Sequence, residues 1–217
     1  MNQRIEGVMA ALEKNNMQGI YVPCINSIPE VVQNILFEGA VITAGGSVSA
    51  VESGVWELIN KDCYNFLDRN RKGITPEERT EVFRSCIDAD FYICSTNAIT
   101  EKGELLNVDG LGNRIASIGF GPKKVIMIVG ANKIVKDLDE AFLRVKKIAA
   151  PKNSVRLGLD NPCSKLGHCV SLLKNDNPDF TDGCLSPNRI CCKYLVSGYQ
   201  KEKQRITVIL CGEPLGY

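Results

Sequence analysis

Residues 91–130 contain the densest group of side chains that could perform chemistry. Two short apolar runs, 91–94 and 125–129, bracket this stretch, and their β-branched and aromatic residues predict buried strands. A solvated loop would not need as many glycines as this stretch places between its two core strands. Because polar groups at strand ends build the sites of α/β proteins, we predict a binding site here. Its polar residues are Thr96, Asn97, Thr100, Glu101, Glu104, Asn107, Asp109, Asn113 and Arg114.

Two carboxylates of this stretch, Glu101 and Asp109, are candidate catalytic residues. They are close in sequence and near glycines, so we expect them to be near one another in space. Such a pair could share a proton or act as base and acid. The alternative is that each caps a turn through local hydrogen bonds, and for Glu104 we favour that structural role.

The uncharged and basic residues of the stretch are candidate ligand-binding residues. Asn107, Asn113 and Arg114 carry donors suited to carboxylate or phosphate oxygens, and an arginine can bind either group through two parallel hydrogen bonds. Thr96 and Asn97 directly follow the first strand and join this set. The ligand predicted by these residue types is a small anionic metabolite.

The turn Gly45-Gly46-Ser47 is a second candidate site for an anion. It lies between an apolar run at 40–43 and a predicted helix at 51–59. A strand, a glycine turn and a helix leave backbone N–H groups pointing at an anion, although the same pattern also occurs in plain connections. We expect this turn to face the 96–114 stretch across one cleft, because both follow strands of the same predicted sheet.

Five of the ten cysteines fall within residues 163–192, in a polar segment that is rich in glycine and proline. Cys163, Cys169, Cys184 and Cys191 could supply four thiolates to zinc or to an iron–sulfur cluster. Their spacing contains no CxxC pair and so matches neither a zinc ribbon nor a ferredoxin. Reduced cysteines that bind nothing, or a disulfide formed in an oxidised sample, are the alternatives.

Several reaction classes lack their sequence signatures. The chain has no serine-hydrolase elbow, no P-loop and no GxGxxG fingerprint, and its one histidine, His168, lies in the cysteine-rich segment. With a net charge of +1 and dispersed basic residues, we expect no nucleic-acid partner. No apolar run is long enough to span a membrane and the first 16 residues lack a signal-peptide core, so we expect a cytoplasmic protein.

The order of apolar runs and amphipathic segments predicts an α/β domain with a mainly parallel sheet and helices on both faces. A single domain is expected over residues 1–217. An amphipathic helix at 138–149 should end at Pro151, and residues 152–192 should form a cysteine-rich loop insertion. The predicted strands are 19–22, 40–43, 91–94, 125–129 and 205–211.

The motifs STNAITEKGELLNVDGLGNRIA and FGPKKVIMIVGANKIV resemble the LUD domain family, the lactate-utilisation-protein domain once catalogued as a domain of unknown function. The resemblance runs from the GGS turn to the final GEPLGY. It implies a three-layer fold related to ribose-5-phosphate isomerase and CoA-transferase subunits. In those relatives an early turn binds phosphate and a glutamate can act as nucleophile, which would give Glu101 a third role.

The resemblance also bears on function and on the cysteines. Family members carry a comparable PC…G-C…C…RIC arrangement, from which this chain departs by a longer stretch at 170–183. The leading hypothesis is a protein that binds or converts an organic acid, a sugar phosphate or a thioester. A redox accessory protein with a metal or cluster and partner subunits, and a regulatory binding module without turnover, are the alternatives. A homo-oligomer is compatible with all three.

Overall fold

The computed structural model describes residues 2–217, and a six-stranded parallel sheet forms its centre. The strand order is β1-β10-β7-β4-β2-β3, and every neighbouring pair is parallel. The predicted mainly parallel α/β sheet is therefore confirmed, and the five predicted strands begin and end within one residue of the expected positions. The strands are β1 (Gln18–Val22), β2 (Val41–Ala44), β3 (Asn65–Phe66), β4 (Phe91–Cys94), β7 (Lys124–Gly130) and β10 (Ile206–Cys211).

Helices cover both faces of this sheet because each presents one apolar stripe to it. On one face, Ile28 and Val32 of α2 and Leu58 of α4 pack against strand residues such as Ile128. On the other face, Ile5, Val8 and Leu12 of α1 form a second core with Val125 and Val208. The α-helices that precede β7 in the chain are α1 (Gln3–Lys14), α2 (Ile28–Ile35), α3 (Val48–Glu52), α4 (Val55–Ile59), α5 (Pro76–Ser85) and α6 (Asn113–Gly119).

A second, four-stranded sheet in the order β8-β5-β6-β9 was not predicted from the sequence. Its strands are β5 (Ala98–Thr100), β6 (Leu105–Asp109), β8 (Ile134–Val135) and β9 (Lys193–Ser197). β5 and β6 form an antiparallel hairpin within the polar 96–114 stretch. This hairpin decides which of the candidate site residues can meet.

The prediction that Pro151 ends the helix after residue 138 is wrong. Helix α7 (Leu138–Arg144) continues through a π-helical turn, Val145–Ala149, into α8 (Ala150–Arg156). A proline clashes with the carbonyl four residues earlier, and a wider π turn relieves that clash. Residues 152–192 consequently include the end of α8 and a short helix α9 (Pro162–Leu166) in addition to loops.

None of the helices within residues 2–217 combines the length and the apolar character needed to cross a membrane.

Candidate functional site

A cavity of about 340 Å³ lies beyond the carboxyl ends of β2, β4 and β7, and we call it the central cavity. The chain turns after all three strands contribute to its lining, as the general rule for open parallel sheets requires. Both predicted segments reach it: Gly46 and Ser47 from one, and the 95–114 stretch from the other. The predicted site residues that line it are Gly46, Ser47, Thr96, Asn97, Asp109, Asn113 and Arg114.

The β5–β6 hairpin explains why residues 96–97 and 109–114 meet. Asn97 precedes β5 and Asp109 ends β6, so antiparallel pairing brings these two ends of the hairpin together. The Val108 N–H donates to Asn97 Oδ1 at 2.8 Å, and Arg114 Nη2 donates to the same oxygen at 2.9 Å. Arg114 also donates to the Val108 carbonyl. Its guanidinium is thus oriented by neutral oxygens, and no carboxylate within residues 2–217 pairs with it.

The same hairpin places Glu101 away from the central cavity. Glu101 lies at the tip, between β5 and β6, where its carboxylate accepts a hydrogen bond from Arg4 Nε of helix α1 at 2.7 Å. About half of each side chain in this ion pair is exposed. Glu101 and Asp109 are therefore not brought together, because they occupy opposite ends of one hairpin.

Asp109 lines the cavity and also caps helix α6. Its Oδ2 accepts hydrogen bonds from the backbone N–H of Arg114 at 2.8 Å and of Ile115 at 3.3 Å. The local hydrogen bonds that the sequence left open as an alternative are therefore present. They leave Asp109 Oδ1 without a protein donor in the described chain.

Two further candidates occupy structural positions beside the cavity. Asn107 is fully buried on β6, outside the cavity lining, and neither its amide nitrogen nor its amide oxygen has a partner among residues 2–217. Gly45 lies where a Cβ atom would be 2.7 Å from the hydroxyl oxygen of buried Tyr92. The Gly45 site therefore requires glycine for packing.

At Gly46 the groups that come close to the backbone are charged side chains from other segments. A Cβ atom at this position would lie 2.8 Å from Nη2 of Arg69 and 3.6 Å from Nη2 of Arg156. Arg69 also stacks on the ring of Phe83, with Cζ 5.5 Å from the ring centroid. The missing side chain at Gly46 thus lets two guanidinium groups reach the glycine turn.

The most buried charged group of the cavity is Lys133, which sequence reasoning missed. It ends a short 3₁₀ turn, Ala131–Lys133, that follows β7. The residue is 2% exposed, and its Nζ donates to Ser49 Oγ at 2.8 Å and to Ser95 Oγ at 2.9 Å. Burial lowers the pKa of Lys133 to about 7, and the nearby cations of Arg144 and Arg114 act in the same direction. The available signal was a lysine in the turn after a buried parallel strand, where open sheets bind their ligands.

The side chains lining the central cavity give it an excess of positive charge. Four basic residues, Arg69, Arg114, Lys133 and Arg156, face one carboxylate, that of Asp109, and the three arginines are always charged. Arg156 Nε donates to the hydroxyl of Tyr217 at 2.8 Å, which holds this arginine at the rim. Helix α3 spans only five residues, so the positive field comes from these side chains more than from its N-terminus.

A second, smaller cavity of about 20 Å³ contains all four of the predicted metal-ligand cysteines, and we call it the cysteine cavity. Cys163, Cys169, Cys184 and Cys191 line it together with apolar residues and the buried Lys146. Burial raises the pKa of the Cys163 and Cys191 thiols. As they stand, no three His, Cys, Asp or Glu side chains within residues 2–217 are grouped closely enough to hold a metal ion.

The donor set of the cysteine cavity nevertheless fits a thiophilic metal. Four thiolates around a divalent ion carry a net negative charge, which needs compensation when it is buried. Lys146 Nζ lines this cavity, and its described partners are neutral, namely Ser171 Oγ at 3.3 Å and the Asp182 carbonyl. Arg189 Nε donates to the Cys191 carbonyl at 3.0 Å and adds a second cation.

The comparisons with known proteins agree with this architecture. The LUD domain model matches residues 5–211. The crystal structure of a DUF162 family protein from Deinococcus radiodurans is similar in fold, with a TM-score of 0.53, 12% sequence identity and 97% of each chain covered. No curated protein matches the chain. The chain therefore belongs to the LUD domain family, which is associated with lactate utilisation.

Proposed function

We propose that this protein binds a small anionic metabolite in the central cavity, as part of organic-acid utilisation. The observation that carries the proposal is the surplus of cationic groups around a cavity of about 340 Å³. That volume is at the lower end of the range for small-molecule sites, so it favours a compact organic acid or sugar phosphate.

Arg114 and Lys133 are suited to binding an anion for different reasons. Arg114 is fixed by Asn97 and the Val108 carbonyl, so little conformational entropy is lost when its guanidinium binds a carboxylate or phosphate. Lys133 is buried with neutral partners only, and burial lowers its pKa to about 7, so its protonated form, which attracts an anion, and its neutral amine are both populated near neutral pH. Catalytic roles for Asp109 and Glu101 stay predictions, and the position of Glu101 at the hairpin tip favours Asp109 of the two.

The proposal is tested by thermal-shift and calorimetric titration with lactate, pyruvate, inorganic phosphate, ribose 5-phosphate and acetyl-CoA. A ligand that binds only the native state raises the melting temperature by mass action. The matched control is lactamide, which keeps the shape of lactate without its charge. We expect at least one anion to bind and the neutral analogue not to bind. Equal binding of lactate and lactamide, or no response to any of the anions, would contradict the proposal.

Arg114→Ala should weaken the binding of the best anion by about 1.5–3 kcal/mol, the usual value of a hydrogen bond to a charged group. The matched control is Arg84→Ala, because Arg84 is exposed on α5 and makes no side-chain hydrogen bond within residues 2–217. Arg114→Lys keeps the charge and separates its effect from the loss of the bonds to Asn97 and Val108. An unchanged affinity in a folded Arg114→Ala protein would remove Arg114 from the site.

A second function is supported by the convergence of four cysteines and Lys146 on the cysteine cavity. We propose that this cavity binds a thiophilic metal ion or an iron–sulfur cluster, held by Cys163, Cys169, Cys184 and Cys191. Bound zinc would supply structural cross-linking, and a cluster would supply electron transfer to a redox partner.

Metal and sulfide analysis of anaerobically purified protein, with its visible spectrum, tests this second proposal. Zinc without visible absorption would identify a zinc site, and iron with sulfide and a broad visible band would identify a cluster. Protein that contains neither, and that takes up neither zinc nor iron with sulfide under reducing conditions, would overturn it.

A further inference from the structure

We propose that Lys133 is a nucleophilic amine that forms an imine with the carbonyl carbon of an anionic ligand in the central cavity. The ligand class is a 2-oxo acid or another small carbonyl compound with a carboxylate or phosphate. This inference rests on the proposed function, since it names the substrate class and the reacting group of the same site.

The hydrogen-bond network around Lys133 offers two acceptors to its amine, Ser49 Oγ and Ser95 Oγ. Ser95 Oγ donates to the Ile128 carbonyl at 2.6 Å, and Ser49 Oγ donates to the Leu215 carbonyl at 3.4 Å. Because both serine hydrogens are committed to carbonyls, both serines act as acceptors toward Lys133 Nζ. A neutral amine has two N–H bonds, so the two serines use both and leave the lone pair free.

The charges around the amine favour its neutral form. Lys133 forms no ion pair with a carboxylate in the described part of the chain. Arg144 and Arg114 lie on the elements packed against it and repel a second positive charge, whereas Glu52 of α3 and Cys94 of β4 act in the opposite direction more weakly. Desolvation by burial and repulsion by a neighbouring cation are both known means of activating a lysine nucleophile.

Lys133 also borders the space in which a ligand would bind. It lines the central cavity together with Arg114, although protein atoms cover almost all of its side chain. The final segment closes the far side, because a Cβ atom on Gly216 would lie 3.3 Å from Lys133 Nζ and 2.5 Å from Ser49 Oγ. In a 2-oxo acid the carbonyl carbon is bonded directly to the carboxylate. A carboxylate held by Arg114 would therefore keep that carbon within the cavity that Lys133 also lines.

Imine formation between the amine and the carbonyl requires no reactant besides these two groups. The Nζ lone pair forms a bond to the carbonyl carbon, the C–O π electrons move to oxygen, and one amine proton passes to that oxygen to give a carbinolamine. Loss of the second amine proton and of the hydroxyl as water then leaves the C=N bond. The net change is amine plus carbonyl to imine plus water, which is reversible in the absence of a reductant.

Borohydride trapping tests the inference. The protein is incubated with pyruvate and sodium cyanoborohydride, and the modified residue is identified by peptide mass spectrometry. We expect one reduced adduct on Lys133 and none on Lys136, which is exposed three residues away. Lactate is the matched control ligand because it has no carbonyl group. Lys133→Arg, which keeps a long basic side chain but has no nucleophilic amine, should lose the adduct, and Lys136→Arg should retain it.

A second probe makes the result independent of how well pyruvate binds. Formaldehyde with cyanoborohydride methylates neutral amines, so at neutral pH Lys133 should react several-fold faster than Lys136. The proposal is overturned if Lys133 remains unmodified by both probes while Lys136 reacts. If pyruvate binds with an affinity that depends on Arg114 but leaves no adduct, imine formation fails while anion binding stands. If no anion binds and formaldehyde still labels Lys133 first, the amine is activated and the proposed function fails.

Discussion

The central cavity and the cysteine cavity are adjacent, but the residues that line them differ in chemical character. Four basic residues and a carboxylate line the central cavity, whereas the cysteine cavity is small, mostly apolar and lined by thiols. Val145, Ala150 and Cys191 line both and form the wall between them. Burial therefore has different consequences for the two sets of groups. We propose an anionic ligand for the basic residues and a soft metal for the thiols.

The π-helical turn stands at the boundary of the two cavities. Val145 and Lys146 belong to it, and Ala150 follows it directly. Single π turns inside α-helices frequently mark functional sites, because the extra residue shifts the side chains that follow. Here the turn sends Lys146 to the cysteine cavity, while Asn153 and Arg156 of α8 reach the central one.

The largest expected effect is the loss of bound metal when a cysteine of the cysteine cavity, rather than one outside it, is replaced. Cys184→Ser should abolish binding of the metal or cluster, since removing one of four thiolates leaves the site incomplete. Cys63→Ser is the matched control, because Cys63 is exposed and lies outside this cavity. Metal content per chain after anaerobic purification is the measurement. Equal metal content in both variants would place the metal elsewhere.

A second prediction concerns the pH dependence of the free energy of unfolding. Burial lowers the pKa of Lys133 to about 7 from the 10.5 of an ordinary lysine. Between these two pH values the unfolded chain binds more protons at this residue than the native one, so stability should rise with pH across that window. Below it both states are protonated and the buried charge costs most, and above it both are neutral.

Lys133→Met should therefore remove this rise with pH, while Lys136→Met should retain it, because Lys136 is exposed. Urea unfolding of the three proteins at several pH values between about 7 and 10 measures the slope. Identical slopes for the wild type and Lys133→Met would mean that the buried amine does not change its charge in this range.

The smallest expected effect concerns the glycine turn of the central cavity. Gly46→Ala would place a methyl group 2.8 Å from Arg69 Nη2, so the guanidinium must move and anion affinity should fall by about 1 kcal/mol. Gly7→Ala is the matched control, since a Cβ atom at Gly7 of α1 meets nothing within 4 Å. That control should leave affinity unchanged and stabilise the helix by about 0.5–1 kcal/mol. Equal affinity in both variants would show that Arg69 makes no contact with the ligand.

The parallel sheet and the position of the central cavity could be predicted because both depend on local patterns. Short apolar runs bounded by glycine and polar residues fixed five strands, and ligands bind beyond the carboxyl ends of such strands. Lys133 could not be identified in the same way, because a lysine in a sequence usually indicates a solvated surface. Its burial depends on Ser49 and Ser95, which come from two distant segments.

Glu101 shows why closeness in sequence is a poor guide to closeness in space. Eight positions separate it from Asp109, yet β5 and β6 carry the two residues to opposite ends of a hairpin. The polar residues of the 96–114 stretch hid the strand pattern that would have predicted this separation. The four cysteines spread over 163–191 do line one cavity, because α9 packs against α8 and the Cys169 N–H donates to the Lys146 carbonyl of the π-helical turn.

The most direct test of the account is a crystal structure of the protein soaked with pyruvate or with the anion that binds most tightly in the titrations. The account predicts ligand density in the central cavity, with a carboxylate or phosphate oxygen within hydrogen-bond distance of the Arg114 guanidinium. The carbonyl carbon of pyruvate should lie next to Lys133 Nζ. Density for the bound anion outside this cavity, with Arg114 still bonded only to Asn97 and Val108, would contradict the central claim.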